Sequence, residues 1–238
     1  MTSAEMGRRA VAEWVGTALL LTAVVGSGIM GERLAGGNVA IALLANAIAT
    51  GAALVALILT FGPISGAHFN PAVTLADASQ GGMPWKLAAL YVAAQLVGAC
   101  AGVVVAHVMF GERTLMWSQH ARAGSGQLVS EAVATFGLLS VVWGASRHRP
   151  AFVPFAIGAY ITSAYWFTAS TSFANPAVTM ARALTNTFSG IRPSDVPGFV
   201  AAQIFGAAAA TVLFRWLYPA FAGETEVVVI AGTQGPPQ

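Results

Sequence analysis

The residues best suited to chemistry lie in two nearly identical segments, each starting with an Asn-Pro pair. Segment 70–78 has the sequence NPAVTLADA and segment 175–183 has NPAVTMARA, so seven of nine residues agree. Asn favours the N-cap of a helix and Pro its first position, so each pair predicts a helix start. Such a start carries unpaired N–H groups, about half a positive charge, and an amide that can still donate a hydrogen bond. The pattern therefore indicates recognition of a hydrogen-bonding solute.

The composition places these two segments in a membrane. Hydrophobic residues make up 56% of the 238 residues and charged residues only 8%, whereas soluble proteins have about 25% charged residues. The net charge of +2 without a basic stripe argues against a nucleic-acid partner. A single cysteine excludes an intrachain disulfide, and the scattered histidines predict no metal site. No nucleophile–base arrangement occurs, so we expect neither an enzyme nor a cofactor.

Apolar runs and turn residues predict six membrane spans and two half-helices. A span needs about 20 mostly apolar residues, and Gly62-Pro63 is expected to end the second one. The predicted spans lie near 10–30, 39–61, 85–109, 127–146, 151–167 and 196–217, and the half-helices at 70–79 and 175–189.

The chain then divides into two repeats. The first covers 1–109 and the second 127–218; an exposed loop, 110–126, connects them, and a mobile tail follows at 223–238. Three spans per repeat force the copies into opposite orientations. The predicted fold is an all-α membrane protein with six transmembrane helices and two re-entrant half-helices in an inverted repeat. Irregular backbone at membrane depth must be buried or face a water-filled cavity, so a pore or binding site is expected between the half-helices.

A pair of glutamates strengthens the repeat. Glu13 opens the first span and Glu131 opens the fourth. One glutamate near a span end can reach the membrane interface, but matching positions in both halves favour a buried role. We predict that each carboxylate accepts hydrogen bonds from the backbone of a re-entrant loop.

The segments SGAHFNPAVT (65–74) and FANPA (173–177) resemble the paired Asn-Pro-Ala motifs of the major intrinsic protein family, the aquaporins and aquaglyceroporins. The resemblance covers about 13–217 and implies a homotetramer with one pore per subunit. It also implies that His68 lines the pore. The motif residues carried over by the resemblance are Asn70, Pro71, Ala72, Asn175, Pro176 and Ala177.

The sequence departs from the family at the constriction that the resemblance implies. The residue after the second Asn-Pro-Ala is usually an arginine, but here it is Val178. By the resemblance, Thr50 and Ser172 are two further members of this selectivity filter. The fourth member is either Ser163, by counting back from the second motif, or Tyr165, by matching the helix pattern; we favour Tyr165.

Two charged residues follow the motifs at equivalent places. Arg182 lies four residues after Val178, on the same helix face, and is a candidate charge at the outer mouth. The alternative is a structural arginine bonded to loop carbonyls or lipid headgroups. Its repeat partner is Asp77, which we expect at the inner mouth.

The resulting prediction is a passive channel for small uncharged solutes in a lipid bilayer. A filter without a fixed positive charge suits glycerol-like polyols and water, and the resemblance adds undissociated metalloid acids or arsenicals. The paired helix ends with Asn70 and Asn175 would exclude ions, as in aquaporin-type channels. The alternatives are a water-selective channel and a secondary transporter, which also uses inverted repeats.

The predicted location is the cell (inner) membrane with both termini cytoplasmic. The inner and outer sides then hold six and five basic residues, which is hardly a bias. The tight pairs Arg8/Arg9 and Arg147/Arg149 nevertheless both fall inside.

Overall fold

A computed structural model describes residues 1–218, so the tail predicted at 223–238 lies outside the described residues. The helices in this part are α1 (Ser3–Leu34), α2 (Val39–Ser65), α3 (Pro71–Ser79), α4 (Trp85–Phe110), α5 (Ser125–His148), α6 (Val153–Phe167), α7 (Pro176–Arg182) and α8 (Val196–Leu217). Short 3-10 turns, Pro150–Phe152 and Pro193–Asp195, precede α6 and α8.

The protein is an all-α membrane protein with six transmembrane helices and two half-helices. Five helices, α1, α2, α4, α5 and α8, are each long and apolar enough to span a membrane. The sixth, α6, has 15 residues and is extended at its start by the 3-10 turn. The half-helices α3 and α7 both begin with a proline behind a capping asparagine. The predicted architecture is confirmed.

The two halves pack in the same way. Helix α1 packs mainly on α4, and α5 packs mainly on α8. A Cβ added at Gly98 would lie 2.3 Å from the Trp14 carbonyl oxygen, and one at Gly206 would lie 2.2 Å from that of Ala132. Glycine at both places lets the helix backbones touch, as small residues commonly do between membrane helices.

The two membrane faces can be assigned from the helix directions. Residue Ser65 at the end of α2 bonds to Glu13 near the start of α1, and α1 ends where Arg33 donates to the Phe110 carbonyl at the end of α4. We call the face where α1 starts the N-terminal face and the opposite face, which holds residues 110–126, the loop face. Six crossings return the chain to the N-terminal face.

Two predicted helix ends were wrong. Helix α2 does not break at Gly62-Pro63 but continues to Ser65, because the left-handed Gly66 (φ 88°) caps it by donating to the Gly62 carbonyl. Helix α7 ends at Arg182 instead of residue 189. The carbonyls of Ala183 and Leu184 accept bonds from the amides of Ser118 and Met116 in the connecting loop, so they are not available to extend the helix.

The connecting loop 110–126 is less exposed than predicted. Ser118 is fully buried, and Arg122 inserts its side chain between the loop after α6 and the segment after α7. Backbone hydrogen bonds to the 183–192 segment offset the desolvation of this stretch. The loop thus folds back over the loop face of the molecule.

Candidate pore and its constriction

The two half-helices meet through their capping asparagines. The Asn70 Oδ1 accepts the Ala72 amide (2.9 Å), and the Asn175 Oδ1 accepts the amides of Ala177 (3.0 Å) and Val178 (3.3 Å). Each side chain thus accepts hydrogen bonds from amides at the start of its own half-helix that have no partner within the helix, which is the usual role of an N-cap. Each asparagine also lines a central cavity. One hydrogen of its side-chain NH₂ group donates to a carbonyl of the other loop, and the second remains available to a solute.

The loops before the half-helices have the same unusual backbone. Left-handed φ angles occur at three positions in each loop, and the two sets are offset by 105 residues: Gly66, Ala67 and Phe69, and Thr171, Ser172 and Ala174. A left-handed non-glycine residue costs roughly 1–2 kcal/mol. Both loops therefore need strong partners to keep this conformation.

Glu13 is the partner of the first loop. It is fully buried, and its Oε1 accepts the Ser65 hydroxyl (2.6 Å) and the His68 amide (2.9 Å). Its Oε2 accepts the Phe69 amide (2.7 Å) and the Gln95 side-chain amide (2.8 Å). Four donors on one carboxylate compensate for the burial of its charge.

Glu131 holds the second loop in the same way. Its Oε1 accepts the Ser170 hydroxyl (2.5 Å) and the Phe173 amide (2.9 Å). Its Oε2 accepts the Ala174 amide (2.9 Å) and the Gln203 side-chain amide (2.6 Å). The predicted bonding of both glutamates to loop backbone is thus present in the structure.

The serine and glutamine partners of these carboxylates did not follow from the sequence reasoning above. A signal for the glutamines does exist. Segment 93–99 has the sequence AAQLVGA and segment 201–207 has AAQIFGA, a third repeat at a spacing of 108 residues. The glutamine holds the carboxylate, and the glycine three residues later provides the close helix contact described above. A polar residue repeated inside two apolar spans marks a buried hydrogen bond.

The central cavity has a volume of about 80 Å³ and lies between the two loops. Its wall includes the predicted filter residues and Arg182, and the rest is mostly aliphatic. No acidic residue lines this cavity in the described part of the chain. The lining members predicted from the sequence are His68, Asn70, Asn175, Thr50, Tyr165, Ser172, Val178 and Arg182.

The two candidates for the fifth-span filter position lie in different surroundings. Tyr165 is buried in the cavity wall, with its hydroxyl 3.2 Å from the Thr50 Oγ1. Ser163 is exposed, and its hydroxyl donates to the Tyr160 carbonyl of its own helix. Only Tyr165 of this pair can contact a solute in the cavity.

Ser172 and Val178 complete this part of the wall. The Ser172 Oγ is buried, and no partner for it is found among the described residues. A buried hydroxyl of this kind costs free energy unless a solute or water fills the position next to it. Val178 contributes only methyl groups at the place where the resemblance implies a guanidinium.

Two arginines contact the aromatic ring of Phe173 at the loop face. The Arg182 Cζ is 3.4 Å from the ring centroid and the Arg122 Cζ is 5.0 Å from it. Arg182 is buried and its Nε donates to the Ser189 carbonyl, so it both bonds a loop carbonyl and lines the cavity. Arg122 lies in the connecting loop, where burial lowers its pKa and the charge of Glu131 opposes that shift.

His68 lies on the opposite side of the motif, between the central cavity and a smaller cavity at the N-terminal face. Its Nδ1 is 3.1 Å from the Thr74 Oγ1, which also accepts the Gln95 side-chain amide (2.9 Å). Since Gln95 also donates to Glu13, Thr74 and Gln95 connect the pore-side histidine to the carboxylate that holds the loop.

Comparison with known proteins agrees with this geometry. A family model described as Major intrinsic protein matches residues 1–172. The chain is 54% identical over 217 residues to the aquaglyceroporin AqpS of Rhizobium meliloti (strain 1021), which covers 91% of this chain and 93% of the relative. It is 32% identical to the aquaporin NIP1-3 of Oryza sativa subsp. japonica, over 92% of this chain and 75% of the relative.

A solved structure shows the same fold. The aquaglyceroporin from Plasmodium falciparum superposes with a TM-score of 0.68, over 90% of this chain and 95% of that chain, at 18% sequence identity. With two half-helices joined at their asparagines, two glutamates holding the loops, and a family model matching most of its length, the chain belongs to the major intrinsic protein family.

Proposed function

We propose that the protein is a passive channel for small uncharged solutes, namely glycerol-like polyols, undissociated metalloid acids or arsenicals, and water. The observation that carries this proposal is Val178 in the cavity wall. An arginine there would narrow the passage and bind solute oxygens, whereas valine leaves more space and an apolar surface. The same cavity wall supplies hydroxyl groups from Thr50, Tyr165 and Ser172, which suits a solute with several hydroxyls of its own.

Cation exclusion follows from the half-helix ends. The first amides of α3 and α7 face the centre, and each end carries roughly half a positive charge. No carboxylate of the described residues lines the cavity to attract a cation, because Glu13 and Glu131 lie behind the loops with their oxygens bonded to loop N–H groups. A neutral solute exchanges hydrogen bonds with the asparagine amides instead.

The two alternatives are less well supported. A water-selective channel needs a tighter filter than one containing Val178, and the relative AqpS is named an aquaglyceroporin. A secondary transporter needs ionisable groups that change partners during transport, whereas both buried glutamates here hold backbone amides. Family members are channels, not enzymes.

Stopped-flow light scattering on proteoliposomes tests the function. We expect glycerol to enter much faster than in empty liposomes, at a rate that rises linearly with its concentration and needs no ion gradient. Water flux without glycerol flux would favour the water-selective alternative. Saturation together with a response to an imposed ion gradient would favour the transporter.

We propose three further properties. The repeats divide at the connecting loop, as 1–109 and 127–218. The N-terminal face is cytoplasmic, because the arginine pairs 8/9 and 147/149 lie there. The protein forms a homotetramer in the cell membrane, as the family resemblance implies; cross-linking in membranes followed by electrophoresis would detect it.

A further inference from the structure

The inverted repeat places opposite charges at equivalent positions of the two half-helices. Asp77 and Arg182 each lie seven residues after the capping asparagine of their own half-helix. Because α3 and α7 start at the centre and run to opposite faces, Asp77 lies toward the N-terminal face and Arg182 toward the loop face. Both are buried, at 4% and 1% exposure.

The lining of the central cavity carries positive charge. Both half-helix ends are positive, Arg182 adds a full charge, and no acidic residue lines this cavity in the described part of the chain. The buried carboxylates of Glu13 and Glu131 oppose this field from behind the loops, but loop N–H groups lie between them and the cavity. Such a wall repels cations but attracts anions. A channel for uncharged solutes therefore needs a separate barrier against anions.

Asp77 is placed to provide that barrier. Its carboxyl group lines the smaller cavity of about 30 Å³ at the N-terminal face, next to His68. It rests against Gly82, where an added Cβ would lie 2.1 Å from the Asp77 Oδ1. The hydrogen bonds of residues 1–218 include none to this carboxyl group, although a buried carboxylate normally accepts several.

Arg9 lines the same cavity but does not cancel this charge. It is partly exposed, and no ion pair within 4.0 Å joins it to Asp77 in the described residues. Water and salt therefore screen Arg9 more than they screen the buried Asp77.

We propose that Asp77 is a specificity-determining residue that rejects anions at the N-terminal mouth of the pore. This inference rests on the proposed channel function. The positive centre then rejects cations, Asp77 rejects anions, and only uncharged solutes cross. The conjugate bases of weak acids are thereby kept out while the undissociated acids pass.

The test compares chloride and glycerol permeation of Asp77→Asn with the wild type. Proteoliposomes loaded with KCl are treated with valinomycin, so that chloride leaves only through a conductive path, and a chloride electrode records its release. Glycerol-driven swelling is measured on the same vesicles. Chloride is chosen because its acid is fully dissociated.

We expect Asp77→Asn to raise chloride release about tenfold over wild type, as removal of one poorly screened charge predicts, and to change glycerol flux less than about twofold. Asp77→Glu keeps the charge and should keep chloride out. The matched control Glu112→Gln, in the connecting loop, should change neither flux.

Chloride release at the wild-type level in Asp77→Asn, with glycerol flux intact, would overturn the proposal. Asp77→Ser provides a second neutral variant if the asparagine variant does not fold, and the same outcome applies to it. Absence of glycerol flux in the wild type would instead contradict the proposed function, whatever the chloride result.

Discussion

Asn70 and Asn175 each hold the loop that precedes the other. The Asn70 Nδ2 donates to the Ala174 carbonyl at 2.8 Å, and the Asn175 Nδ2 donates to the Phe69 carbonyl at 2.7 Å. These reciprocal bonds are buried, so neither half-helix can move without breaking a bond to the other. These bonds hold the two motifs in a fixed position relative to each other at the centre of the pore.

The loops depend on the two buried glutamates, so Glu13→Gln and Glu131→Gln should each destabilise the protein. Glutamine keeps the shape but places an NH₂ group against donors that need an acceptor. We expect the free energy of unfolding to fall by about 3 kcal/mol in each variant. In detergent this should lower Tm by roughly 5–10 °C.

Glu32→Gln is the control for this prediction because Glu32 is exposed at the end of α1. The two test variants should lose similar stability, since their partners are mirrored. A wild-type Tm for either variant would show that its four hydrogen bonds contribute little.

The filter assignment predicts different results for removal of the Tyr165 and Ser163 hydroxyls. Tyr165→Phe removes the bond to Thr50 and one polar group from the cavity wall. We expect glycerol permeability to fall about three- to tenfold, since a lost hydrogen bond is worth about 1 kcal/mol, with a smaller effect on water.

Ser163→Ala, two residues earlier on the same helix, should leave both permeabilities unchanged because this side chain faces away from the cavity. Stopped-flow swelling measures both. A larger effect of Ser163→Ala than of Tyr165→Phe would place the filter on the other face of α6.

Much of this architecture could be predicted because the information is local or repeated. The Asn-Pro starts of α3 and α7 depend on capping and on the fixed φ of proline, which act within a few residues. The places of Glu13 and Glu131 followed from comparing the two halves of the chain.

The remaining features depend on long-range contacts that no local pattern encodes. Helix α7 stops at Arg182 because loop residues more than 60 positions earlier bond to the carbonyls that follow it. The connecting loop has a polar composition typical of an exposed segment, yet Ser118 is buried within it. The choice between Ser163 and Tyr165 needed the rotation of α6, which its apolar sequence does not define.

Arg122 should stabilise the second re-entrant loop specifically. Its side chain donates to the carbonyls of Ser170 (3.1 Å) and Gly190 (2.8 Å) and lies over the Phe173 ring. Arg122→Met removes both donors, so hydrogen–deuterium exchange in residues 168–174 should accelerate.

Exchange in residues 65–70 provides an internal reference, since the Arg122 bonds do not reach the first loop. Arg113→Met, at an exposed position of the same connecting loop, is the matched variant and should change neither segment. Equal acceleration in both loops would indicate a general loss of stability instead.

Val178→Arg tests the origin of the solute preference. An arginine here adds several heavy atoms and a positive charge to the cavity wall, one helical turn from Arg182. We expect glycerol permeability to fall by at least about tenfold, corresponding to 1.4 kcal/mol, and water permeability to fall much less. Val178→Leu separates size from charge, because it adds bulk alone and should slow glycerol only slightly.

Equal slowing of glycerol and water, or no change in either, would show that Val178 does not line the constriction. A complete block of both solutes would show that Arg182 already occupies the narrowest point. In that case Arg182 would be the filter cation, displaced by one turn from its usual position in the family. We expect the selective loss of glycerol, because the Arg182 guanidinium is drawn away from the centre by its stacking on Phe173 and its bond to the Ser189 carbonyl.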